Sequence, residues 1–257
     1  MAKKKERLDK LLVARGLVAT RSKAQAVILA GEVLVNGARM DKPGTAVSLE
    51  ATIELKAPLP YVGRGGFKLA GALDRFAINL QGAVCADVGA CTGGFTDVML
   101  QNGAARVYAI DVGYGQLDWS LRQDERVVVL ERTNARYLQA LAEPVQFVSI
   151  DVSFISLRHI LPVVKLWLAE KGDVVALIKP QFEAGPKQVG RGGIVKDTAV
   201  HRSVLLELWQ WFSDNGFGVQ GVMQSPVTGA SGNIEFLAWL QVGVADNVVM
   251  ETAVDQL

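Results

Sequence analysis

One stretch of the chain has the residue types and spacing of a cofactor loop: Asp87-Val88-Gly89-Ala90-Cys91-Thr92-Gly93-Gly94-Phe95-Thr96-Asp97. It falls between an apolar run that reads as a strand and a stretch that reads as a helix. At such a junction glycines let a ligand approach the backbone, and helix amides point outward. A dinucleotide loop needs Gly-x-Gly-x-x-Gly, whose middle glycine makes room for a pyrophosphate. Here that position is Cys91, which weakens the reading as a nicotinamide-dependent oxidoreductase and leaves room for a cofactor without phosphate. Asp111 ends the next expected strand, about 20 residues on, where a carboxylate suits a ribose diol. Asn134, past the third strand, is placed to read an adenine edge. The combination points to S-adenosylmethionine, with Asp87, Gly89, Thr92, Gly93, Gly94, Phe95, Asp111, Asn134 and Asp151 as its candidate contacts. The plain alternative is a structural turn. Cys85 and Cys91 have no neighbouring His or acidic cluster and read as packing residues, so no metal site is expected.

Four charged side chains stand in unusual places. Asp151 follows the apolar run Val145–Ile150, and Lys179 follows Val174–Ile178, both at the carboxyl ends of expected strands. Glu235 sits within the otherwise apolar Ile234–Leu240, behind the small-residue loop Thr228–Asn233. Lys68 follows Gly63-Arg64-Gly65-Gly66-Phe67. Buried charges are costly unless paired. If these four converge, two lysines and two carboxylates neutralise one another at the mouth of the cofactor site. Taken singly, each reads equally well as an exposed strand end.

The elements that must position these residues form two sets. In residues 1–60, Leu8, Leu11 and Leu12 recur at helical spacing and stop at Arg15-Gly16. A second helix starts at Thr20 or Ser22, carries Ala24, Val27, Ile28 and Leu29 on one face, and ends at Gly31. Val33–Val35 reads as a strand entering an Asn36-Gly37 turn. Short strands follow near Val47–Leu49 and Ile53–Leu55, and Pro58 and Pro60 mark a stiff linker. From residue 84 strands and helices alternate. The strands are expected at Val84–Val88, Arg106–Ile110, Val127–Leu130, Val145–Ile150, Asp173–Ile178, Gly218–Met223 and Ile234–Leu240. Helices are expected near 95–102, 116–122, 156–170 and 198–214. Alternation of this kind gives an α/β fold with a mostly parallel sheet, whose ligands bind beyond the carboxyl ends of the strands.

Composition agrees with a globular chain. Of 257 residues half are hydrophobic, and 2 Cys cannot build a disulfide framework, which suits a reducing compartment. No apolar h-region follows Lys3–Lys5 and no run approaches a membrane span, so a soluble, cytoplasmic protein is expected. The net charge of +1 conceals a dipole. Residues 1–60 carry 11 Lys+Arg against 6 Asp+Glu, a net of +5, while residues 61–257 carry 16 against 20, a net of −4. A small basic module attached to a larger acidic one is implied, and a polyanionic partner is not excluded.

Several of these motifs together resemble the TlyA, or haemolysin A-like, family. They are Arg64-Gly65-Gly66-Phe67-Lys68-Leu69, the loop Asp87–Asp97, Ser149-Ile150-Asp151-Val152-Ser153-Phe154 and Leu177-Ile178-Lys179-Pro180-Gln181-Phe182-Glu183. Gly190-Arg191-Gly192-Gly193 and Gly232-Asn233-Ile234-Glu235-Phe236 complete the set. The resemblance implies an S4 RNA-binding domain of small α+β fold over 1–60, and a linker and entry segment over 61–83 carrying Lys68. A Rossmann-like, FtsJ-type methyltransferase domain with a seven-stranded sheet would follow over 84–243, then a tail over 244–257. It further implies S-adenosylmethionine-dependent 2′-O-methylation of ribosomal RNA at cytidine, with a Lys-Asp-Lys-Glu catalytic tetrad matching Lys68, Asp151, Lys179 and Glu235.

A ribose hydroxyl is scarcely ionised at neutral pH and needs a base to take its proton. Lys179 is the candidate, with burial and the second cation Lys68 favouring its neutral amine. Asp151 would orient that amine and offset the sulfonium charge, and Glu235 would hold a lysine or fix the ribose.

The segments Arg7–Leu12, Thr20–Ala26 and Gly31–Gly37 resemble the S4 domain. Arg21, Ser22 and Lys23 would open the second helix, where amides and cations favour phosphate, with Arg7, Lys10 and Arg15 nearby and Asn36 in the turn. Structured ribosomal RNA or ribosomal subunits are the partners implied; monomer and weak dimer stay open. Residues 179–196, with Lys187, Arg191 and Lys196, read either as a substrate flap or as a surface loop. His159 and His201 read as structural or solvated, and Trp209, Trp211 and Phe212 as core. The alternative functions are a non-catalytic RNA-binding factor, against which four intact tetrad positions argue, and a membrane-active haemolysin, which no amphipathic or spanning segment supports.

Overall fold

The computed structural model describes residues 4–29, 31–55 and 60–257; Lys3 of the lysine run and Pro58 of the expected linker lie outside them. The chain divides into two compact units, Met1–Pro60 and Tyr61–Leu257.

In the first unit β1 (Lys5–Arg7) runs into α1 (Leu8–Ala14), and α2 (Arg21–Leu29) follows. Four short strands complete it: β2 (Val33–Val35), β3 (Ala38–Met40), β4 (Ala46–Ser48) and β5 (Ile53–Leu55). β1 pairs with β4, while β2 lies between β3 and β5, all antiparallel. Leu8, Leu11 and Leu12 of α1 meet Ala24 and Ile28 of α2 over Val33, Val35 and Val47, as the helical spacing requires. Thr20 caps α2, its hydroxyl accepting the amide of Lys23 at 3.2 Å. Asn36 takes φ of +50° between β2 and β3, the left-handed geometry that an Asn-Gly hairpin turn uses.

The second unit opens with α3 (Gly66–Phe76) and then alternates: β6 (Val84–Val88), α4 (Gly94–Gln101), β7 (Arg106–Ile110), α5 (Trp119–Arg122), β8 (Val127–Leu130) and β9 (Val145–Ile150). It continues through α6 (Leu161–Val164), β10 (Leu168–Ile178), α7 (Pro180–Glu183), α8 (Thr198–Asp214), β11 (Phe217–Gln224), β12 (Phe236–Val242) and α9 (Met250–Asp255). The sheet order is β11-β12-β10-β9-β6-β7-β8. Strands β8 to β10 pair in parallel, and β12 runs antiparallel between β10 and β11. Alternate side chains enter opposite cores. Val174, Ala176 and Ile178 pack with Leu208 and Phe212 of α8, whereas Val175 and Leu177 join Leu69, Leu73 and Val98 from α3 and α4.

Some expectations need correction. Residues 156–170 are not one helix: a 3-10 turn at Leu157–His159 precedes the single turn of α6, and β10 begins at Leu168. Pro162, without an N–H to continue the preceding turn, starts α6 afresh although the apolar spacing runs on past it. Residues 61–83 are not merely a linker, because α3 buries Lys68, Leu69, Ala72 and Leu73 there. The Gly65-Gly66 start hides it from a reading by propensity. Glu235 precedes β12 rather than lying inside a strand. Residues 244–257 form no loose tail: the Asp246 carboxylate accepts from Trp209 Nε1 at 2.7 Å and Val219 N at 2.8 Å, and Val254 is buried. Trp209 and Phe212 are core residues as expected, while Trp211 is only half-buried.

Because Asp246 satisfies two donors, Asp246→Ala is expected to lower unfolding stability by about 2–4 kcal/mol, leaving both donors unpaired. Urea unfolding followed by tryptophan fluorescence measures this; an unchanged midpoint would show that 244–257 is only an appendage.

Candidate active site

Strand β6 ends in the glycine loop, and Asp87 organises it from beneath. This carboxylate is fully buried and accepts Thr96 N at 2.8 Å, Thr96 Oγ1 at 2.7 Å and Ser149 Oγ at 3.0 Å. It therefore ties β6 to α4 and β9 rather than touching a ligand, a correction to its expected cofactor contact. Desolvation raises its pKa from the ordinary 3.8 to about 6, against the lowering effect of the Thr96 and Ser149 hydrogen bonds. Gly89 has φ of +87°, and a Cβ there would lie 2.3 Å from the carbonyl oxygen of Asp151. Only glycine fits. Gly93 and Gly94 have different tasks: side chains there would strike Leu121 and the Gly66 backbone, so these glycines admit neighbouring elements. Phe95 is core.

Above the loop a cleft of about 510 Å³ opens at the carboxyl ends of the strands. Its rim includes Gly89, Cys91, Asp111, Asn134, Asp151 and Phe154, over apolar walls from Ile110, Val152 and Ile160. Thr92, Gly93, Gly94 and Phe95 stand outside its lining. Asp111 accepts Cys91 N at 2.8 Å on one oxygen and Gly113 N at 2.6 Å on the other, joining the turns after β6 and β7. Asn134 accepts the amide of Arg136 at 3.1 Å through Oδ1. Cys85 is buried, and its thiol is pushed up to about 12 by burial. Cys91, expected to pack, is instead exposed on the rim with φ of +50°. The donor set suits a nucleoside cofactor: a carboxylate for a diol, an amide for a base edge, apolar walls, and Cys91 where a pyrophosphate would demand glycine.

The four anomalous charges form two pairs. Lys179 Nζ lies 2.6 Å from Asp151 Oδ1 and donates to Ser153 Oγ at 2.9 Å. Lys68 Nζ lies 2.6 Å from Glu235 Oε2, both largely buried. The sheet explains the first pair: Ala176 pairs with Ile150 at the end of β9, and β10 runs two residues further, so Lys179 stands beside the loop that carries Asp151 and Ser153. It also brings the second pair close. Ile178 faces Phe236 across β10 and β12, so the next residues out, Lys179 and Glu235, stand opposite one another. Lys68 is thus neutralised by Glu235, not a bare cation acting on Lys179 as expected. A Cβ on Gly229 would lie 2.4 Å from Glu235 Oε1, so the small-residue loop leaves room for this carboxylate.

Two participants escaped the reading from sequence. Ser153 holds Lys179, and Glu183 accepts Ser156 Oγ at 2.6 Å and Leu157 N at 2.8 Å, tying the turn after β10 to the loop after β9. Burial raises the Glu183 carboxyl above its ordinary value. Phe154 is 90% exposed at the rim with φ of +63°, tilted against Phe182. Asn233 accepts Val195 N and donates to the Gly193 carbonyl, each at 3.0 Å, so one end of 179–196 is pinned to the loop before Glu235.

In the first unit Arg7 and Arg21 both bond Asp9 while staying about half-exposed. Lys10 lies 3.9 Å from Glu6, and Ser22 and Lys23 are exposed at the start of α2. Arg15 spends its guanidinium on the carbonyls of Leu49 and Ala51, at 2.6 and 2.7 Å, and Asn36 accepts Thr52 N at 2.9 Å, a turn role. His201 is buried against the Val195 carbonyl and His159 is exposed. Among the described residues no acidic, His or Cys group could hold a metal, and no helix is long and apolar enough to cross a membrane.

The second unit is a Rossmann-like methyltransferase, defined by its seven-stranded sheet with one reversed strand and its cleft beyond the carboxyl ends. The FtsJ-like methyltransferase family matches residues 61–242, and the S4 domain matches residues 6–53. A candidate rRNA methyltransferase of Bacillus subtilis, YqxC, is 51% identical over 93% of this chain and 87% of its own. The 16S/23S rRNA (cytidine-2′-O)-methyltransferase TlyA of Mycobacterium tuberculosis is 47% identical over 93% and 90%. A solved structure titled a candidate hemolysin from Streptococcus thermophilus superposes with a TM-score of 0.75, at 46% identity, covering 99% of this chain and 96% of that one. The chain belongs to the TlyA, or haemolysin A-like, family, which joins an S4 domain to an FtsJ-like methyltransferase domain.

Since the folded Asp87 binds its proton more tightly than the unfolded one, its stabilising contribution is complete below pH 3.8 and is lost as pH rises through about 6. At about 1.4 kcal/mol per pH unit the loss is on the order of 3 kcal/mol. Asp87→Asn is expected to flatten this part of the stability–pH curve, measured by denaturant unfolding at several pH values; an unchanged slope would reject the assignment. Gly89→Ala is expected to unseat the loop from Asp151, detected as lost thermal stabilisation by S-adenosylmethionine.

Proposed function

We propose that the protein is an S-adenosylmethionine-dependent methyltransferase that modifies the 2′-hydroxyl of cytidine in structured ribosomal RNA. The observation that carries this reading is the Lys179–Asp151 pair, 2.6 Å apart at the mouth of a nucleoside-shaped cleft. The names of the relatives supply the RNA and the nucleotide.

Asp111 would hold the cofactor's ribose diol, Asn134 its base and the Gly89 backbone its nearby chain. The cofactor, when bound, supplies a methyl group on a positively charged sulfur. What the protein adds is alignment and a base for a reluctant nucleophile. Asp151 and Ser153 take up two of the directions around the Lys179 nitrogen, leaving one for a ribose hydroxyl. In its amine form Lys179 accepts the hydroxyl proton as the oxygen attacks, and the resulting ammonium is held by Asp151. Lys68 and Glu235 cancel each other's charge beside this group and keep its surroundings ordered. Asp87 supports the loop from below. The first unit would grip RNA phosphates through Arg7, Arg21, Lys10 and Lys23, and it recognises shape more than sequence.

Three outcomes follow. S-adenosylmethionine is expected to raise the melting temperature while NAD leaves it unchanged; stabilisation by NAD alone would reject the cofactor. Lys179→Ala is expected to lower methyl transfer to ribosomal RNA at least about 100-fold while cofactor stabilisation persists, and retained turnover would remove the base. Ribose-methylation mapping on ribosomal RNA from cells with and without the gene is expected to show the lost cytidine positions; identical maps would overturn the substrate.

A further inference from the structure

Asp9 has no part in the methyltransferase chemistry, yet it is the one charged side chain among the described residues of the first unit that is fully buried. Five hydrogen bonds from four residues explain why it tolerates burial. Arg7 reaches it through Nε at 3.0 Å and Nη2 at 2.9 Å, and Arg21 through Nε at 2.9 Å. Gln25 adds Nε2 at 3.2 Å, and the Lys10 amide adds a contact at 3.0 Å. These interactions hold the carboxyl well below the usual range, led by Arg7.

The donors come from separate elements. Arg7 caps α1 and Arg21 opens α2, so one carboxylate fastens both helix starts and draws two guanidinium groups to a single oxygen, Oδ2. Two cations held that close would repel without the anion between them. With it they form a fixed pair of net charge +1. Their side chains remain 43% and 52% exposed, so the pair is presented to solvent. A guanidinium is a planar fork of five N–H donors, and Arg21 uses only Nε on Asp9. Both of its terminal nitrogens lack a partner among the described residues. Lys23 and Ser22 are exposed beside it. Fixing a long side chain before a ligand arrives removes the entropy cost of ordering it on binding.

We infer that Asp9 is a positioning residue for RNA binding, clamping Arg7 and Arg21 into one preorganised fork for a backbone phosphate. The inference rests on the reading of the first unit as an RNA-binding module. It carries an unusual sign. If only charge mattered, removing an anion from a phosphate-binding surface would tighten binding. If the clamp matters, removal loosens it.

The test is filter binding of the full chain to purified bacterial ribosomal RNA across a salt series. Asp9→Asn is expected to weaken affinity about tenfold and to reduce the slope of log affinity against log salt by about 0.7–0.9, the share of one phosphate contact. In an Arg7→Ala/Arg21→Ala background the same change is expected to have no further effect, because Asp9 acts only through those arginines. Tighter or unchanged binding by Asp9→Asn, or an effect that persists in that background, overturns the clamp. Should the arginine variants themselves bind as wild type does, the RNA-binding reading fails along with it. Arg21→Lys covers the case in which Asp9→Asn fails to fold. It keeps the charge but, while bonded to Asp9, has no outward fork, so it is expected to lose affinity severalfold. Wild-type affinity in that variant overturns the proposal.

Discussion

The cost of taking charge out of water governs this structure. Lys68, Lys179, Asp87 and Glu235 are all largely buried in the second unit, and each is tolerated because a specific partner stands within hydrogen-bond distance. Removing one member of such a pair leaves an uncompensated charge at a cost of about 3–5 kcal/mol, so the pairs constrain the loops that carry them. The β9, β10 and β12 ends, the start of α3 and the glycine loop are held in mutual register by these bonds. The region that must align a nucleophile with a methyl donor is therefore also the region with least freedom to shift.

Strand direction makes the pairing possible. β9 and β10 are parallel, and β10 runs two residues past the end of β9, placing Lys179 beside Asp151 in the loop that follows. β12 is reversed, so the residue before it, not after it, reaches the same edge. Glu235 can meet Lys68 only because of that reversal. A parallel seventh strand would have put its carboxyl end there and carried Glu235 to the far side of the sheet. The backbone contributes equally: the Asp151 carbonyl approaches Gly89 too closely for any Cβ, so the glycine loop and the end of β9 share one contact. The first unit applies the same rule on a smaller scale, with Asp9 buried only because two arginines and an amide enclose it.

The strands Val84–Val88, Arg106–Ile110, Val127–Leu130 and Val145–Ile150 were legible to the residue, because each is a short, mostly apolar and β-branched-rich run between breakers. Helix α3 was not, because its glycines mask its propensity, nor was the break within 156–170, where amphipathic spacing continues across Pro162. The four charges stood out because Asp151 and Lys179 close apolar runs, Glu235 interrupts one, and Lys68 follows a glycine-rich loop. Ser153 and Glu183 did not, since a serine or glutamate on a turn looks ordinary until its partner is known.

The amino-acid sequence alone specified the division into a basic and an acidic part, the alternating α/β plan, the cysteine that stands where a dinucleotide loop has glycine, and the identity of four anomalous charges. These are local properties: composition, period, and the residue type at a turn. Which lysine meets which carboxylate was decided only by the tertiary structure. So were the burial of Asp87 and Phe95 beneath the glycine loop, the internal bonds of Arg15 and Asn36, and the enclosure of Asp9 by two arginines. Each depends on the register of non-adjacent strands or the docking of two helices, which no local window of residues encodes.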